Sequence, residues 1–300
     1  MSPRSEVLEG DVTVRHGRAG LSDVNLHYVE AGEGPPVVLL HGFPEFWYSW
    51  RHQLPALVDA GYRVVAPDMR GYNTSDKPES VADYHVDRLA DDVAELISER
   101  GADSAYVVGH DWGAAVAWHF AGRHAEMLRT LHILNVPHPA VMFEWLKTPK
   151  QLLKSWYIFF FQLPWIPEAA LRAGDFAYVR RTYERGTVRP NAFTDEDIER
   201  YIQAYKEPGA LTAMLNYYRA AARSVGDLSH FPVIDAPTVV IWGEQDISLR
   251  VEMAEPPSKL VPNARVEYLP DASHWVQIDR PERVNDLLLD FLGEAQTQSA

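Results

Sequence analysis

An aspartate stands where a strand-like segment runs directly into a helix-like one. Asp111 is the central residue of the pentapeptide GHDWG, which follows the apolar run AYVV. A small residue on either side of a central nucleophile, between a strand and a helix, is typical of a nucleophile elbow, whose tight turn lifts the central side chain above the sheet. The N-terminus of the following helix favours negative charge at that place. The pattern therefore predicts that Asp111 is a nucleophile.

A carboxylate at this position, in place of the more common serine, indicates which bond the reaction makes. A serine that attacked a saturated carbon would leave an ether, whereas a carboxylate leaves an ester that water can cleave. Asp111 therefore favours displacement at an alkyl carbon over acyl transfer. The alternative is an aspartate that only caps the following helix, and the pentapeptide alone does not separate the two.

Two residues that follow other strand-like runs could complete a catalytic set. His274 lies in the loop DASHW after the last such run, and Asp246 ends GEQD after the preceding one. Cleavage of an ester needs a base for water, and a histidine fixed by a carboxylate is the usual base. We expect His274 to be the base and Asp246 its orienting acid. Asn135 follows another strand but has no carboxylate, so it cannot replace Asp246.

The segment HGFPE, residues 41–45, follows the strand-like run 37–40 and is the other place from which oxyanion donors are expected. The backbone N–H groups of Phe43 and Trp112 are the candidates. His41 is expected to be a buried hydrogen-bonding residue rather than a catalyst. A cis bond before Pro44 is an option, and a plain turn at a strand end is the alternative for the whole segment.

A mostly parallel sheet would bring these residues together, and the sequence has the pattern for one. Short runs that are apolar on both faces indicate buried strands, and they alternate with helical patterns, which predicts an α/β fold with right-handed crossovers. Residues 10–14 and 24–29 alternate apolar and polar side chains and are expected to form an antiparallel edge. The buried runs are 37–40, 63–67, 105–108 and 130–134, and the helical patterns are 49–60, 86–100 and 113–124.

The alternation is interrupted once, by a helical segment that contains half of the 14 tyrosines. We therefore divide the chain into a first core part at 1–138, an inserted helical lid at 139–228 and a second core part at 229–300. The lid is expected to cover the sheet edge where open α/β folds bind ligands. Within it, Thr194 and the acidic residues after it predict a helix start.

After the insert, strand patterns resume at 238–242 and 265–269. A closing helix is expected over 281–292, and the polar tail from Gly293 is expected to fray.

Composition narrows the function classes. The chain has 300 residues with 28 basic and 42 acidic side chains, a formal net charge of −14, and no cysteine. The acidic balance argues against nucleic acid or an anionic membrane as the main partner, and the missing cysteine excludes thiolate and zinc-finger chemistry. The start lacks a signal-peptide pattern and no apolar run is long enough to span a membrane, so a cytoplasmic location is expected. A homo-oligomer is left open.

Five segments together resemble the soluble-type epoxide hydrolases of the α/β-hydrolase fold, and the likeness extends from about residue 20 to residue 292. The resemblance implies that fold, a mostly parallel central sheet with a helical lid, and the nucleophile, acid and base assigned above to Asp111, Asp246 and His274. It also implies conversion of an uncharged, mainly apolar epoxide and water to a vicinal diol, in detoxification, with no metal or other cofactor. The segments are HGFPEFWYSWRHQLPAL, DMRGYNTSD, GHDWG, GEQDISL and ASHWVQIDRPERVN.

The same resemblance assigns roles to three more residues. Two lid tyrosines of the family grip the epoxide oxygen and donate a proton, and they match Tyr157 in SWYIFFFQ and Tyr218 in LNYYRA. A neutral phenol suits this task because the leaving alkoxide is more basic than a phenolate. Tyr217 is the rival of Tyr218. Glu45, the last residue of HGFPE, is assigned to ordering the hydrolytic water.

Two other functions are weighed against this one. Haloalkane dehalogenases share the carboxylate nucleophile, and Trp112 could hold a halide, but Phe43 has no side-chain donor to be the second halide ligand. Fluoroacetate dehalogenases have an arginine directly after the nucleophile, where this chain has Trp112, which favours an uncharged substrate. A non-catalytic ligand-binding protein of the same fold would show a broken catalytic set.

Overall fold

The computed structural model describes residues 5–224 and 231–298. In that part of the chain one sheet contains nine strands in the order β1-β2-β3-β5-β4-β6-β7-β8-β9. The pairs β1–β2, β2–β3 and β3–β5 are antiparallel, and every pair from β5 onward is parallel. The strands are β1 Ser5–Val7, β2 Thr13–Gly20, β3 Asn25–Ala31, β4 Pro36–Leu40, β5 Arg63–Pro67, β6 Ala105–His110, β7 Leu128–Leu134, β8 Thr238–Gly243 and β9 Ala264–Leu269.

Burial follows from the position of each strand in the sheet. All six residues of β6 and all six of β8 are buried, because helices cover both faces of the parallel part. At the antiparallel edge, β2 alternates mainly between exposed and buried residues. The four predicted buried strands and the two strands predicted after the insert are confirmed within one or two residues at their ends, and the last of them, β9, is only partly buried.

The helices mostly begin and end where the sequence predicts, with two differences. The predicted helix over 49–60 is split into a short turn of 3₁₀ helix at Trp47–Trp50 and α1. The prediction that the tail frays from Gly293 is wrong for the backbone, which stays helical to Gln298. The helices of the core are α1 Gln53–Asp59, α2 Val86–Glu99, α3 Trp112–Arg123, α10 Val276–Asp279 and α11 Pro281–Gln298.

In the described part of the segment between β7 and β8, six α-helices are formed. Thr194 caps one of them through a capping box with Asp197, as its sequence predicts. The backbone of the longest, α7, leaves the helical conformation at residues 173–176. The predicted end of the lid at residue 228 falls outside the described residues, and the three-part domain division stays a prediction. These helices are α4 Pro139–Trp145, α5 Pro149–Lys154, α6 Trp156–Phe160, α7 Ile166–Gly186, α8 Asp195–Lys206 and α9 Ala210–Arg223.

Buried polar contacts fasten the inserted helices to the core. The hydroxyl of Tyr201 on α8 is 2.9 Å from Ser49 Oγ, and Arg51 pairs with Asp197 at 3.4 Å. The hydroxyl of Tyr217 on α9 donates to the carbonyl of Arg70 at 2.7 Å. These contacts hold the insert above the carboxyl ends of the parallel strands. Among the described residues, the helices include none that is both long and apolar enough to cross a bilayer.

Candidate active site

Asp111 lies in a tight turn between β6 and α3. Its backbone has φ 47° and ψ −122°, a conformation that is strained for a residue with a side chain. Two flanking glycines make the turn compatible with its surroundings. A Cβ on Gly113 would lie 2.1 Å from the carbonyl oxygen of Leu40, and one on Gly109 would lie 2.5 Å from the carbonyl oxygen of Gly113. The turn has the geometry of a nucleophile elbow.

His274 lies between two carboxylates. Its Nδ1 is 2.6 Å from Asp246 Oδ2, and its Nε2 is 3.4 Å from Asp111 Oδ2. The other oxygen of Asp246 accepts hydrogen bonds from the backbone N–H groups of Ser248 and Leu249 at 2.7 and 2.9 Å. The sheet therefore brings together the three residues that the sequence analysis selected, in an arrangement that can activate water beside Asp111.

The charges of this triad support one another. Burial opposes ionisation of Asp111, but the hydrogen bond and charge of His274 outweigh it and hold the pKa of the carboxyl below its ordinary 3.8. The pKa of Asp246 is also lowered, again against burial, mainly by His274. For His274, burial disfavours the imidazolium, yet the facing Asp246 and Asp111 raise its pKa well above the ordinary 6.5. In this resting geometry the site holds two carboxylates around one imidazolium.

Asn135 is part of the site, although its sequence position gave it no role. Its side-chain N–H donates to Asp246 Oδ2 at 3.0 Å, and its side-chain oxygen accepts from the backbone N–H of Gly243 at 2.8 Å. The amide of Asn135 thus holds the carboxylate of Asp246 in place, and this carboxylate orients His274. Asn135 directly follows a buried parallel strand. This position alone could have predicted that its side chain reaches the site and helps to position another residue.

The HGFPE loop presents a donor to the nucleophile. The backbone N–H of Phe43 donates to Asp111 Oδ1 at 2.7 Å, and the peptide bond between Phe43 and Pro44 is cis. Trp112 is the first residue of α3, so its backbone N–H belongs to the free N-terminus of that helix. Both predicted oxyanion donors therefore lie beside Asp111. His41 is fully buried and accepts from the backbone N–H of Met69 at 3.0 Å, as expected of a structural residue.

Glu45 is completely buried beneath this loop. Its Oε2 accepts from the backbone N–H of Gly42 at 3.0 Å and lies 2.8 Å from His110 Nδ1. The other ring nitrogen of His110 is 2.9 Å from the carbonyl oxygen of His274. Burial opposes ionisation of Glu45, but the charge of His110 and these hydrogen bonds lower its pKa. His110 thereby links the HGFPE loop to the loop of His274, a contact that the sequence analysis did not predict.

A cavity of about 410 Å³ opens in front of Asp111. Tyr157 and Tyr218 line it, with ring centroids 5.9 Å apart, and the ring of Tyr218 lies 5.0 Å from that of Trp112. Burial, and secondly the charge of Asp111, raise the pKa of both phenols, so they stay neutral. Most of the remaining lining is apolar, including Ala115, Val136, Met142, Leu146, Leu152, Ile158, Phe159 and Leu249.

The structure distinguishes Tyr218 from its neighbour. Tyr217 also borders the cavity, but its hydroxyl donates to the Arg70 carbonyl and is thereby occupied. Burial and the charge of Asp111 raise the pKa of Tyr218, and its ring lies 5.0 Å from that of Trp112, which directly follows Asp111, and 5.9 Å from that of Tyr157. Of the two adjacent tyrosines, Tyr218 is therefore the one that faces the predicted nucleophile. Among the described residues, no three His, Asp or Glu side chains are grouped so that they could hold a metal ion.

Comparison with known proteins places this chain in a family. The family model described as the alpha/beta hydrolase fold matches residues 35–281. The AB hydrolase superfamily protein YfhM of Bacillus subtilis is 48% identical over 277 residues, which are 90% of this chain and 94% of that protein. Human epoxide hydrolase 4 is 42% identical over 281 residues, 91% of this chain and 77% of that protein.

Solved structures agree with this result. The crystal structure of Bacillus megaterium epoxide hydrolase in complex with an inhibitor superimposes with a TM-score of 0.84 at 33% identity, over 92% of this chain and 100% of that one. The fold and the family resemblance predicted from the sequence are thereby confirmed. The chain belongs to the alpha/beta hydrolase fold family and, within it, to the epoxide-hydrolase-like enzymes.

Proposed function

We propose that this enzyme hydrolyses an uncharged, mainly apolar epoxide to a vicinal diol through a covalent ester at Asp111. The observation that carries the proposal is a carboxylate, rather than a hydroxyl, at the elbow, with His274 on one side and two neutral phenols across an apolar cavity. A carboxylate can open the ring at carbon, and the phenols can receive the oxygen that leaves. The names of the relatives support the same substrate class.

In the first step Asp111 attacks a ring carbon from behind. Its Oδ1 is held by the N–H of Phe43, so Oδ2 is the oxygen that forms the bond to carbon. The carbon–oxygen bond of the ring breaks, and Tyr157 and Tyr218 hydrogen-bond the departing oxygen while one of them gives it a proton. The products of the step are an alkyl ester and a phenolate.

Before water reacts, the imidazolium of His274 gives its proton to the phenolate, which restores the phenol and leaves His274 neutral. In the second step water cleaves the ester. His274, oriented by Asp246, removes a proton from water, and the hydroxide attacks the carbonyl carbon of Asp111. The carbonyl oxygen is now Oδ1, which already accepts from Phe43 N–H, so the tetrahedral oxyanion forms where a donor is in place, with Trp112 N–H as the second donor. The tetrahedral adduct then collapses: its ester C–O bond breaks, and its hydroxyl proton passes to the departing alkoxide, which gives the diol and the Asp111 carboxylate. His274 keeps the proton taken from water and is again the imidazolium of the resting site.

Isotope labelling tests the covalent route directly. In a single turnover of styrene oxide in water enriched in oxygen-18, the new oxygen should enter Asp111, because water attacks the carbonyl carbon of the enzyme's own side chain. Mass spectrometry of the peptide that contains GHDWG should show the label, and the diol should be unlabelled. A labelled diol in the first turnover would refute the ester.

A trapping variant tests the division of roles. His274→Gln should still be alkylated but should not release product, so intact-mass analysis should show protein plus one substrate. An unshifted mass, with binding of styrene oxide confirmed, would contradict the roles given to Asp111 and His274.

Assays of the wild-type enzyme test the alternative function. Release of halide from 1-chlorobutane, with no diol from styrene oxide, would indicate a haloalkane dehalogenase.

The role of Glu45 in ordering water stays a prediction. Its oxygens are bonded to Gly42 and His110 beneath the loop, so any effect on water passes through those groups. Glu45→Gln keeps the shape and removes the charge, and it should slow ester hydrolysis more than alkylation. Equal slowing of both steps would show that Glu45 only supports the loop.

A further inference from the structure

A run of exposed apolar side chains crosses the outer surface of the inserted helices. Within the described residues, eleven large apolar side chains are exposed, and six of them fall within fourteen consecutive residues. A cluster of this kind on a water-facing surface marks an interaction site more often than chance exposure does. The six residues, here called the lid patch, are Leu153, Trp156, Phe159, Leu163, Trp165 and Ile166.

Trp165 is the most exposed member of the lid patch. Its side chain is 81% exposed, and its backbone has φ 60° and ψ −25°. A left-handed conformation is a costly choice for a bulky side chain. The turn between α6 and α7 therefore holds an indole in solvent at an energetic cost, which indicates a contact outside this chain.

The charge around the lid patch differs in sign from the rest of the protein. Residues 139–186 contain seven Lys and Arg against four Asp and Glu, while the remainder of the chain holds the other 21 basic and 38 acidic side chains. Lys150 and Arg172 are exposed near the two ends of the patch. The net charge of −14 taken alone argues against an anionic membrane as partner, but the segment that carries the lid patch has a net positive charge.

The lid patch also adjoins the mouth of the cavity. Phe159 is exposed and at the same time lines the cavity, and its neighbours Ile158 and Gln162 line it too. Any external surface that contacts the lid patch would therefore lie next to the entrance of the cavity. If the substrate is an apolar epoxide, as proposed above, it partitions from water into lipid.

We propose that the lid patch docks on the surface of an anionic lipid membrane and takes its apolar substrate from the bilayer. Exposed tryptophan and phenylalanine suit the membrane interface, and nearby lysine and arginine are attracted to acidic headgroups. The acidic body of the molecule would face away from the membrane. A second copy of this chain is the less favoured occupant, because a two-fold contact would place the positive segment against itself.

Vesicle sedimentation, without substrate, tests the docking separately from the proposed function. The protein should sediment with phosphatidylcholine vesicles that contain about one third phosphatidylglycerol, and less with pure phosphatidylcholine. The variant Trp156→Ser/Trp165→Ser should bind at least about ten-fold more weakly. Neither tryptophan lines the cavity, so hydrolysis of dissolved styrene oxide should be unchanged. The matched control is Val7→Ser/Val233→Ser, which removes exposed apolar side chains elsewhere and should bind as the wild type does.

The charge and the competing occupant are tested in the same assay. Lys150→Glu should weaken binding roughly ten-fold, and added salt should weaken it further. The proposal would be overturned if the wild-type protein bound neither kind of vesicle or bound both equally. Light scattering that shows a wild-type dimer which Trp156→Ser/Trp165→Ser converts to a monomer would also overturn it, because a second copy would then cover the lid patch.

Discussion

At the scale of single residues, the position of His274 between two carboxylates gives it a different basicity in each half of the proposed reaction. The charges of Asp246 and Asp111 raise its pKa in the resting enzyme. Alkylation converts Asp111 to a neutral ester and removes one of these two charges. The pKa of His274 must then fall, so the residue becomes a free base at the stage that requires one.

This change predicts different pH profiles for the two steps. Alkylation needs ionised Asp111, whose pKa is below 3.8, so its rate should be flat between about pH 5 and 9. Ester hydrolysis needs neutral His274, so its rate should fall about ten-fold per unit once the pH drops below the pKa of that residue in the ester. Single-turnover kinetics followed by tryptophan fluorescence separates the two rates.

The variant His274→Gln is the control for this experiment. Hydrolysis should be lost, and alkylation should gain an acid limb at higher pH than in the wild type, because Asp111 loses the hydrogen bond and charge that hold its pKa down against burial. An acid limb shared by alkylation and hydrolysis in the wild type would contradict the assignment, since it would mean that His274 must be neutral before Asp111 attacks.

Adjacent tyrosines provide a matched pair of variants. Tyr218→Phe removes a phenol that faces Asp111 and should slow alkylation about 10²-fold, within the range for general acid catalysis. Tyr157→Phe should do the same. Tyr217→Phe leaves the carbonyl of Arg70 without its buried donor and should lower the free energy of unfolding by about 1 kcal/mol while activity stays within a few-fold.

Stopped-flow alkylation rates and urea unfolding check both parts of this prediction. The reverse pattern, with Tyr217→Phe slow and Tyr218→Phe active, would exchange their roles. That result would also require the Tyr217 hydroxyl to leave its partner when substrate binds.

At the scale of elements, the inserted helices hold the loop that carries Phe43, the predicted oxyanion donor. The hydroxyls of Tyr183 on α7 and Tyr205 on α8 both hydrogen-bond the carbonyl of Pro44, and both side chains are buried. Pro44 follows Phe43, whose N–H donates to Asp111. The position of the donor therefore depends on the packing of two helices outside the core sheet.

Loss of a hydrogen bond to the Pro44 carbonyl should slow ester hydrolysis more than alkylation. Tyr205→Phe should slow ester hydrolysis about ten-fold. This is less than the 10²- to 10³-fold loss of rate expected when an oxyanion donor is deleted, because the donor is only displaced. The ester should therefore accumulate in the steady state. Tyr201→Phe is the control, because its hydroxyl bonds Ser49 instead of the loop. Intact-mass measurement during turnover gives the fraction of ester. Similar fractions in both variants would show that the hydroxyl of Tyr205 contributes only to packing.

The elements of the core were predictable because their signals are local. Runs of buried β-branched residues indicate parallel strands. The glycines around Asp111 indicate a tight turn, and glycine is needed there because the backbone of Leu40 approaches too closely for a side chain. Asp246 and His274 could be selected because each follows such a strand, and residues at the carboxyl ends of parallel strands meet at one edge. The triad is therefore largely a consequence of chain order and sheet topology.

The contacts of the insert were not predictable in the same way. Nothing in the spacing of seven tyrosines says that Tyr183 and Tyr205 bond a loop of the core while Tyr157 and Tyr218 face the cavity. Those orientations depend on how helices pack across long sequence separations. Likewise the contact from His110 to Glu45 joins residues 65 positions apart, and its only sequence signal is that His110 precedes the nucleophile.

At the scale of the whole molecule, we expect the cavity between the core sheet and the inserted helices to select the proposed substrate by charge. Its described lining contains the carboxylate of Asp111, one histidine and no lysine or arginine. A substrate carboxylate would lose its hydration there without gaining a lysine or arginine partner, and it would meet the like charge of Asp111. The cavity therefore favours neutral molecules for a reason that is independent of their shape.

Styrene oxide and its para-carboxylate have nearly the same shape and differ in charge, so they test this directly. We expect kcat/KM for the carboxylate to be at least about 10²-fold lower, which corresponds to ~2.7 kcal/mol in the transition state. Met142→Lys places a cation in the lining and should narrow the difference by improving the charged substrate. Equal kcat/KM for both substrates in the wild type would mean that the charged group stays in water outside the cavity. Selection would then depend on the entrance rather than on the lining.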